Sequence, residues 1–223
     1  HHHVGAHTDV PAGDIGVGAR EIGFLTGMVK KITNRADCIF TGKSPSFGGS
    51  LMRPEATGYG TVFFTEEMLK RKGMSLEGMR VGVSGSGNVA QYAIEKAMEL
   101  GAKVVTVSDS SGSVIDREGF TAEKLAILME VKNHLYGRVS DYAERVKAEF
   151  LPGKRPWHVA MDVALPCATQ NELNEEDARV LVANGVKCVA EGANMPSTLQ
   201  AIEVFEQSGV PYAPGKASNA GGV

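Results

Sequence analysis

The 223 residues are enough for one α/β domain with a smaller appendage, and 43% hydrophobic residues are enough to bury its core. A net charge of −3 with both signs interspersed offers no nucleic-acid footprint and no basic membrane surface, and no apolar run reaches the roughly 18 residues of a spanning helix. The start of the chain lacks the charged-then-apolar pattern of a secretion signal, and His1 to His3 read as a tag remnant. Three scattered cysteines, Cys38, Cys167 and Cys188, read as buried small hydrophobes in a reducing, cytoplasmic setting; their spacing suits neither a disulfide framework nor a metal site.

Residues 4–19 are rich in Gly, Ala and Pro and run into an apolar-periodic helix from about Arg20 to Ile32. A second loop, TGKSPSFGGS, covers residues 41–50. Pro54, with its fixed φ, and Glu55, near the positive end of a helix dipole, open a helix that runs to about Arg71 and ends at Gly73. Strand and helix then alternate. Met79 to Ser84 reads as a short buried strand, Asn88 to Leu100 as a helix stopped by Gly101, and Lys103 to Ser108 as a β-branched strand. Thr121 caps a helix reaching about Lys132, and Asp141 to Phe150 reads as another. His158 to Ala164 is a strand, Glu175 to Asn184 a helix, Lys187 to Ala190 a strand, Ser197 to Gln207 a helix, and Pro211 to Ala213 a last short strand. This order predicts a Rossmann-like α/β fold: a mostly parallel, doubly wound sheet with helices on both faces.

The strongest local signal is Gly85-Ser86-Gly87-Asn88-Val89-Ala90, a G-x-G-x-x-A run with a buried strand before it and an apolar-faced helix after it. Gly85 permits the tight turn, Gly87 lets backbone approach a pyrophosphate, and Ala90 lets helix and strand pack closely. The helix start adds outward-facing N–H groups and a partial positive charge. Asp109 ends the second strand roughly twenty residues on, where a ribose-binding acid belongs. That acid favours NAD, because a carboxylate accepts from the ribose 2′-OH and repels a 2′-phosphate. Ser110 and Ser111 follow at once as donors to such a phosphate, and Lys132 can add positive charge. On these residues alone NAD and NADP stay nearly even.

Several longer runs resemble the NADP-specific hexameric glutamate dehydrogenases of the Glu/Leu/Phe/Val dehydrogenase family. They are DVPAGDIGVGAREIG (Asp9 to Gly23), SFGGSLMRPEATGYG (Ser46 to Gly60), VSGSGNVAQYAIEKA (Val83 to Ala97), SDSSG (Ser108 to Gly112), LPCATQNEL (Leu165 to Leu173), VAEGANMP (Val189 to Pro196) and APGKASNAGGV (Ala213 to Val223). The resemblance implies reversible oxidative deamination of L-glutamate to 2-oxoglutarate and ammonia, NADP as cofactor with NAD as the alternative, a cytoplasmic homohexamer, and no metal, nucleic-acid or membrane partner.

Residue by residue, the resemblance makes Asp14 the catalytic proton carrier. It places Arg53, Thr57, Asn88, Asn194 and Asn219 at the nicotinamide end of the cofactor, and Ser110 with Lys132 at the 2′-phosphate. An arginine that follows the lysine by three residues in some relatives is Leu135 here. It also implies that residues 1–46 hold the tag remnant, the last piece of a substrate domain and a hinge, that residues 47–223 form the dinucleotide-binding domain, and that this truncated chain binds cofactor without turning over. The alternatives are a stand-alone nucleotide-binding module without chemistry, or another amino-acid dehydrogenase of the same family.

Overall fold

In the computed structural model, residues 2–37 and 39–222 are described, so Cys38 and the first of the three opening histidines lie outside the described residues. The chain divides into two compact units, His1–Pro54 and Glu55–Val223.

The first unit is built around helix α1 (Ala19–Thr33). Glu21 closes its start by accepting from Gly18 N at 2.9 Å, and Asn34 ends it in the left-handed conformation at φ 52°. Thr41 N donates to the Pro11 carbonyl at 3.2 Å, and Lys30 lies over the Phe47 ring. Ile22, Thr26 and Phe40 are its buried side chains, while Phe24, Leu25, Met28 and Ile32 are exposed.

The second unit contains a seven-stranded sheet of order β4-β3-β2-β1-β5-β6-β7. Its strands are β1 (Arg80–Val83), β2 (Lys103–Asp109), β3 (Gly112–Ile115), β4 (Glu149–Pro152), β5 (Val163–Leu165), β6 (Cys188–Ala190) and β7 (Tyr212–Ala213). β2, β1, β5, β6 and β7 are parallel, as the alternation predicts. The helices are α2 (Arg53–Lys70), α3 (Asn88–Glu99), α4 (Ala122–Met129), α5 (Val139–Val146), α6 (Glu175–Ala183), α7 (Leu199–Gln207) and α8 (Gly215–Ser218). None among the described residues is long and apolar enough to cross a membrane.

Strand alternation shows why helices pack on both faces. Val163 and Leu165 of β5, with Cys188 and Ala190 of β6, join one apolar cluster, which also takes in Ala90, Ile94, Leu128 and Tyr142. Their neighbours Ala164 and Val189 join a second cluster with Trp157, Leu181 and Phe205. Successive side chains on a strand point to opposite faces, so each strand is covered twice.

Two expectations are corrected. Asp141–Phe150 is not one helix: α5 ends at Val146, Lys147 turns at φ 56°, and Glu149–Pro152 pairs antiparallel with β3. β3, directly after the Ser110-Ser111 turn, has no counterpart among the predicted strands. His158–Ala164 splits into a 3-10 turn at Pro156–His158 and the shorter β5. The helix from Thr121 also changes pitch. α4, capped by the Thr121 hydroxyl at 3.2 Å from Lys124 N, passes into a π-helical turn at Glu130–His134 that carries Lys132.

α2 lies directly on backbone. A Cβ on Gly58 would stand 2.6 Å from Ala93 N and 2.7 Å from Val89 O of α3; one on Gly60 would stand 2.9 Å from Gly221 Cα. Gly58→Ala gains about 1 kcal/mol of helix propensity, but the two backbones must separate, at a cost of about 1–3 kcal/mol. A net loss of stability is expected, read as a lower urea midpoint at unchanged m value. A more stable variant would show that α2 and α3 part freely.

Candidate functional site

The sheet order reverses between β1 and β5, and the loops leaving these two strands meet there, where ligands of open α/β sheets bind. Gly85 has φ +81°, and a Cβ on it would lie 2.8 Å from the Cys167 carbonyl oxygen. Its N–H donates to Ser108 Oγ at 2.9 Å, and Ser108 N returns a bond to the Gly85 carbonyl at 3.1 Å. The turn is therefore tied to β2 as well. Ser86 is buried; its carbonyl accepts from Gln91 Nε2 at 2.8 Å, and Gln91 exchanges amide bonds with Asn133 at 3.1 and 2.9 Å. Val89 supports Gly192, whose absent side chain leaves room for the Val89 methyl and the Cys167 thiol.

Gly87 is the N-cap of α3, with extended backbone and no side-chain cap. A Cβ built on it meets nothing within 4 Å. This is open space in front of a twelve-residue helix N-terminus, the environment that favours a phosphate. The loop residues present thus fit a dinucleotide's pyrophosphate.

At the end of β2 the predicted site residues bond to one another and to the chain that follows. Asp109 Oδ1 accepts from Ser111 N at 2.8 Å and Ser111 Oγ at 2.5 Å, while Oδ2 accepts from Lys132 Nζ at 3.1 Å and Val139 N at 2.9 Å. Lys132 also donates to the Gly137 carbonyl at 2.8 Å. Burial alone would raise the Asp109 pKa, but the Ser111, Val139 and Lys132 bonds outweigh it and hold the carboxyl below its usual range. Asp109 is thus held ionised, its charge countered by Lys132 and its oxygens taken by internal donors, among them Ser111. Ser110 is exposed, and its Oγ accepts from Arg138 Nη1 at 2.8 Å. Arg138, six residues after Lys132, goes unnoticed in the sequence; the signal for it is a basic residue just ahead of a helix whose first turn returns to the β2 end.

The other site residues form a second corner. Thr57 is half-buried on α2, its carbonyl bonded by Thr61 Oγ1 at 2.9 Å. Asn88 is exposed at the first turn of α3. Asn219 Nδ2 donates to Asn194 Oδ1 at 2.9 Å, joining the loops after β6 and β7. The bare Cα of Gly221 lies against Gly60 and the Ala56 carbonyl of α2, and so brings the Asn219 turn beside the helix that bears Thr57. Arg53 is exposed at the start of α2. Asp14 is exposed in the first unit, where its carbonyl accepts from Val17 N at 2.8 Å.

Of the three buried acids that go unassigned in the sequence, Asp116, Glu172 and Glu191, the last two hold loops at the carboxyl ends of parallel strands. Glu172 Oε1 accepts from Ser84 Oγ at 2.8 Å and Ala168 N at 2.9 Å, and Ser84 Oγ accepts from Cys167 N at 2.9 Å. Glu191, directly after β6, holds the other corner.

The Glutamate/Leucine/Phenylalanine/Valine dehydrogenase family matches residues 48–223. The chain is 67% identical to the NADP-specific glutamate dehydrogenase of Escherichia coli and 66% identical to that of Salmonella typhimurium, each over 99% of this chain and 49% of the relative. A crystal structure of Plasmodium falciparum glutamate dehydrogenase superposes with a TM-score of 0.90 at 48% identity, over 99% of this chain and 48% of that one. The chain spans about half the length of the curated relatives it matches.

Burial pushes the Glu172 carboxyl from 4.5 up to about 7, against the Ala168, Ser84 and Thr169 bonds and the field of Arg155. Between those two values the folded chain holds a proton that the unfolded chain has released, so stability falls as pH rises through the window. The shift corresponds to about 3 kcal/mol. Glu172→Gln lacks this slope. Its unfolding free energy relative to wild type should therefore rise by about that amount from pH 4.5 to 7 in paired urea titrations; a constant difference would mean that the carboxyl titrates normally.

Proposed function

Because the chain belongs to the glutamate, leucine, phenylalanine and valine dehydrogenase family, we propose that it is the nucleotide-binding part of an NADP-dependent glutamate dehydrogenase. The reaction interconverts L-glutamate, NADP and water with 2-oxoglutarate, ammonium, NADPH and a proton. The observation that carries this reading is the phosphate loop: a left-handed Gly85 held to β2 and the β5 turn, and an open Gly87 at the start of α3. When bound, the nicotinamide supplies the hydride acceptor or donor, and the protein supplies orientation and electrostatics.

On this reading Gly85, Ser86, Gly87 and Val89 shape the pyrophosphate seat, with the N–H groups of the α3 start as donors. Thr57, Asn88, Asn194 and Asn219 orient the nicotinamide end with Arg53 nearby in sequence to Thr57. Asp14 carries protons as the substrate imine forms and breaks down. The choice of NADP rests on the β2 end. A free Asp109 would repel a 2′-phosphate, but here its charge is countered by Lys132 and both oxygens are occupied. Ser110 and Arg138 remain exposed beside it as a hydroxyl and a guanidinium, the groups that bind a phosphate dianion.

On this reading glutamate is the substrate because the chain's near relatives are named for it, and the chain spans about half of their length. Holding hydride donor and acceptor in register is worth several kcal/mol of barrier. The chain alone is therefore expected to bind nucleotide and turn over little.

Titrated side by side by nicotinamide fluorescence, the chain should bind NADPH more tightly than NADH. Arg138→Ala should weaken NADPH about tenfold and leave NADH nearly unchanged. Tighter NADH binding by the wild type would overturn the 2′-phosphate assignment. Assay with 2-oxoglutarate, ammonium and NADPH should give negligible turnover; rates like those of the full-length relatives would overturn the need for a further part.

A further inference from the structure

Glu191 follows β6 directly, is 2% exposed, and has no place in the cofactor contacts assigned so far. Its Oε1 accepts from Tyr212 Oη at 2.7 Å and from Ser197 N at 3.2 Å. Its Oε2 accepts from Gly215 N at 2.7 Å. Its carbonyl accepts from Ser218 Oγ at 2.7 Å, and its own N–H donates to the Ala213 carbonyl at 3.1 Å. One residue therefore joins the loop after β6, which carries Asn194, to β7 and the α8 segment, which carries Asn219.

We propose that Glu191 is a positioning residue for the nicotinamide corner: by bracing these two segments it holds the Asn194 and Asn219 carboxamides together at the mouth of the site. The inference rests on the nucleotide reading above. It also explains why a carboxylate stands here. Three donors converge on two oxygens, and a carboxylate offers acceptors on both sides. In glutamine one of those oxygens becomes an NH2 group. Turned one way, the amide nitrogen faces Gly215 N–H; turned the other, it faces Ser197 N–H. Tyr212 can rotate its hydroxyl to adapt, but the backbone donors cannot. Either orientation leaves a buried N–H unpaired and loosens one of the two segments. The adenosine side, built from β2 and the π-helical turn, shares none of these bonds.

That separation sets the test. The 223-residue chain is titrated with NADPH and with adenosine 2′,5′-bisphosphate, which lacks the nicotinamide half. Wild type should bind NADPH more tightly than the bisphosphate. Glu191→Gln should weaken NADPH about tenfold, reduce the fluorescence gained by bound NADPH at saturation, and leave bisphosphate affinity unchanged. Tyr212→Phe removes a single hydrogen bond and keeps the ring stacked on Phe205; it should move NADPH in the same direction by about threefold. The Phe variant decides the matter if the Gln variant does not fold. NADPH binding at the wild-type level in the folded variants overturns the proposal, as does equal weakening of both probes, which would mark a general loss of structure. So does a wild type that gains nothing from the nicotinamide half. A wild type that binds neither probe removes the nucleotide reading itself, and this inference with it.

Discussion

Asp109 and Glu191 stand at the ends of β2 and β6, Glu172 reaches the end of β1 from the loop after β5, and each gathers donors from more than one segment. A carboxylate taken out of water is costly unless hydrogen bonds replace its hydration. Loop amides and hydroxyls are short of partners for the same reason. The pairing satisfies both. Asp109 joins the β2 end to the π-helical turn and to the start of α5. Glu172 joins the β1 end to the β5 turn through Ser84. Glu191 joins the β6 loop to β7 and α8. The rim of the crevice is thereby held by acids that lie beneath it.

At the β2 end the Asp109 carboxylate accepts from Ser111, Lys132 and Val139, and the exposed groups beside it are Ser110 and Arg138. Positive charge at the rim outlasts the neutralisation of Lys132 because Arg138 is not paired with Asp109. The π-helical turn makes this possible, since it lets Lys132 reach both Asp109 and the Gly137 carbonyl.

The second corner depends on missing side chains rather than on charge. Gly58 and Gly60 press α2 onto α3 and onto the Gly221 turn, and Gly192 sits on Val89 and Cys167. Backbone in contact with backbone leaves little room for adjustment, so Thr57, Asn88 and Asn219 ride on elements whose spacing is set by glycine. Close packing of this kind makes the unit sensitive to a single added methyl group.

The sequence by itself determined the fold class, the parallel strands, the ends of most helices and the phosphate loop. These are local: a strand, two glycines and a helix start lie within one short run, and periodicity reports burial directly. It did not determine β3 and β4, whose antiparallel pairing depends on segments far apart in the chain. Nor did it determine that Asp109 would take Lys132, 23 residues away, that Arg138 would reach Ser110 across 28, or that Glu172 would meet Ser84 across 88. A sequence shows which residues can donate and accept. Which donors reach which acceptors is settled only when the loops at the strand ends are brought together, and there the buried carboxylates select their partners.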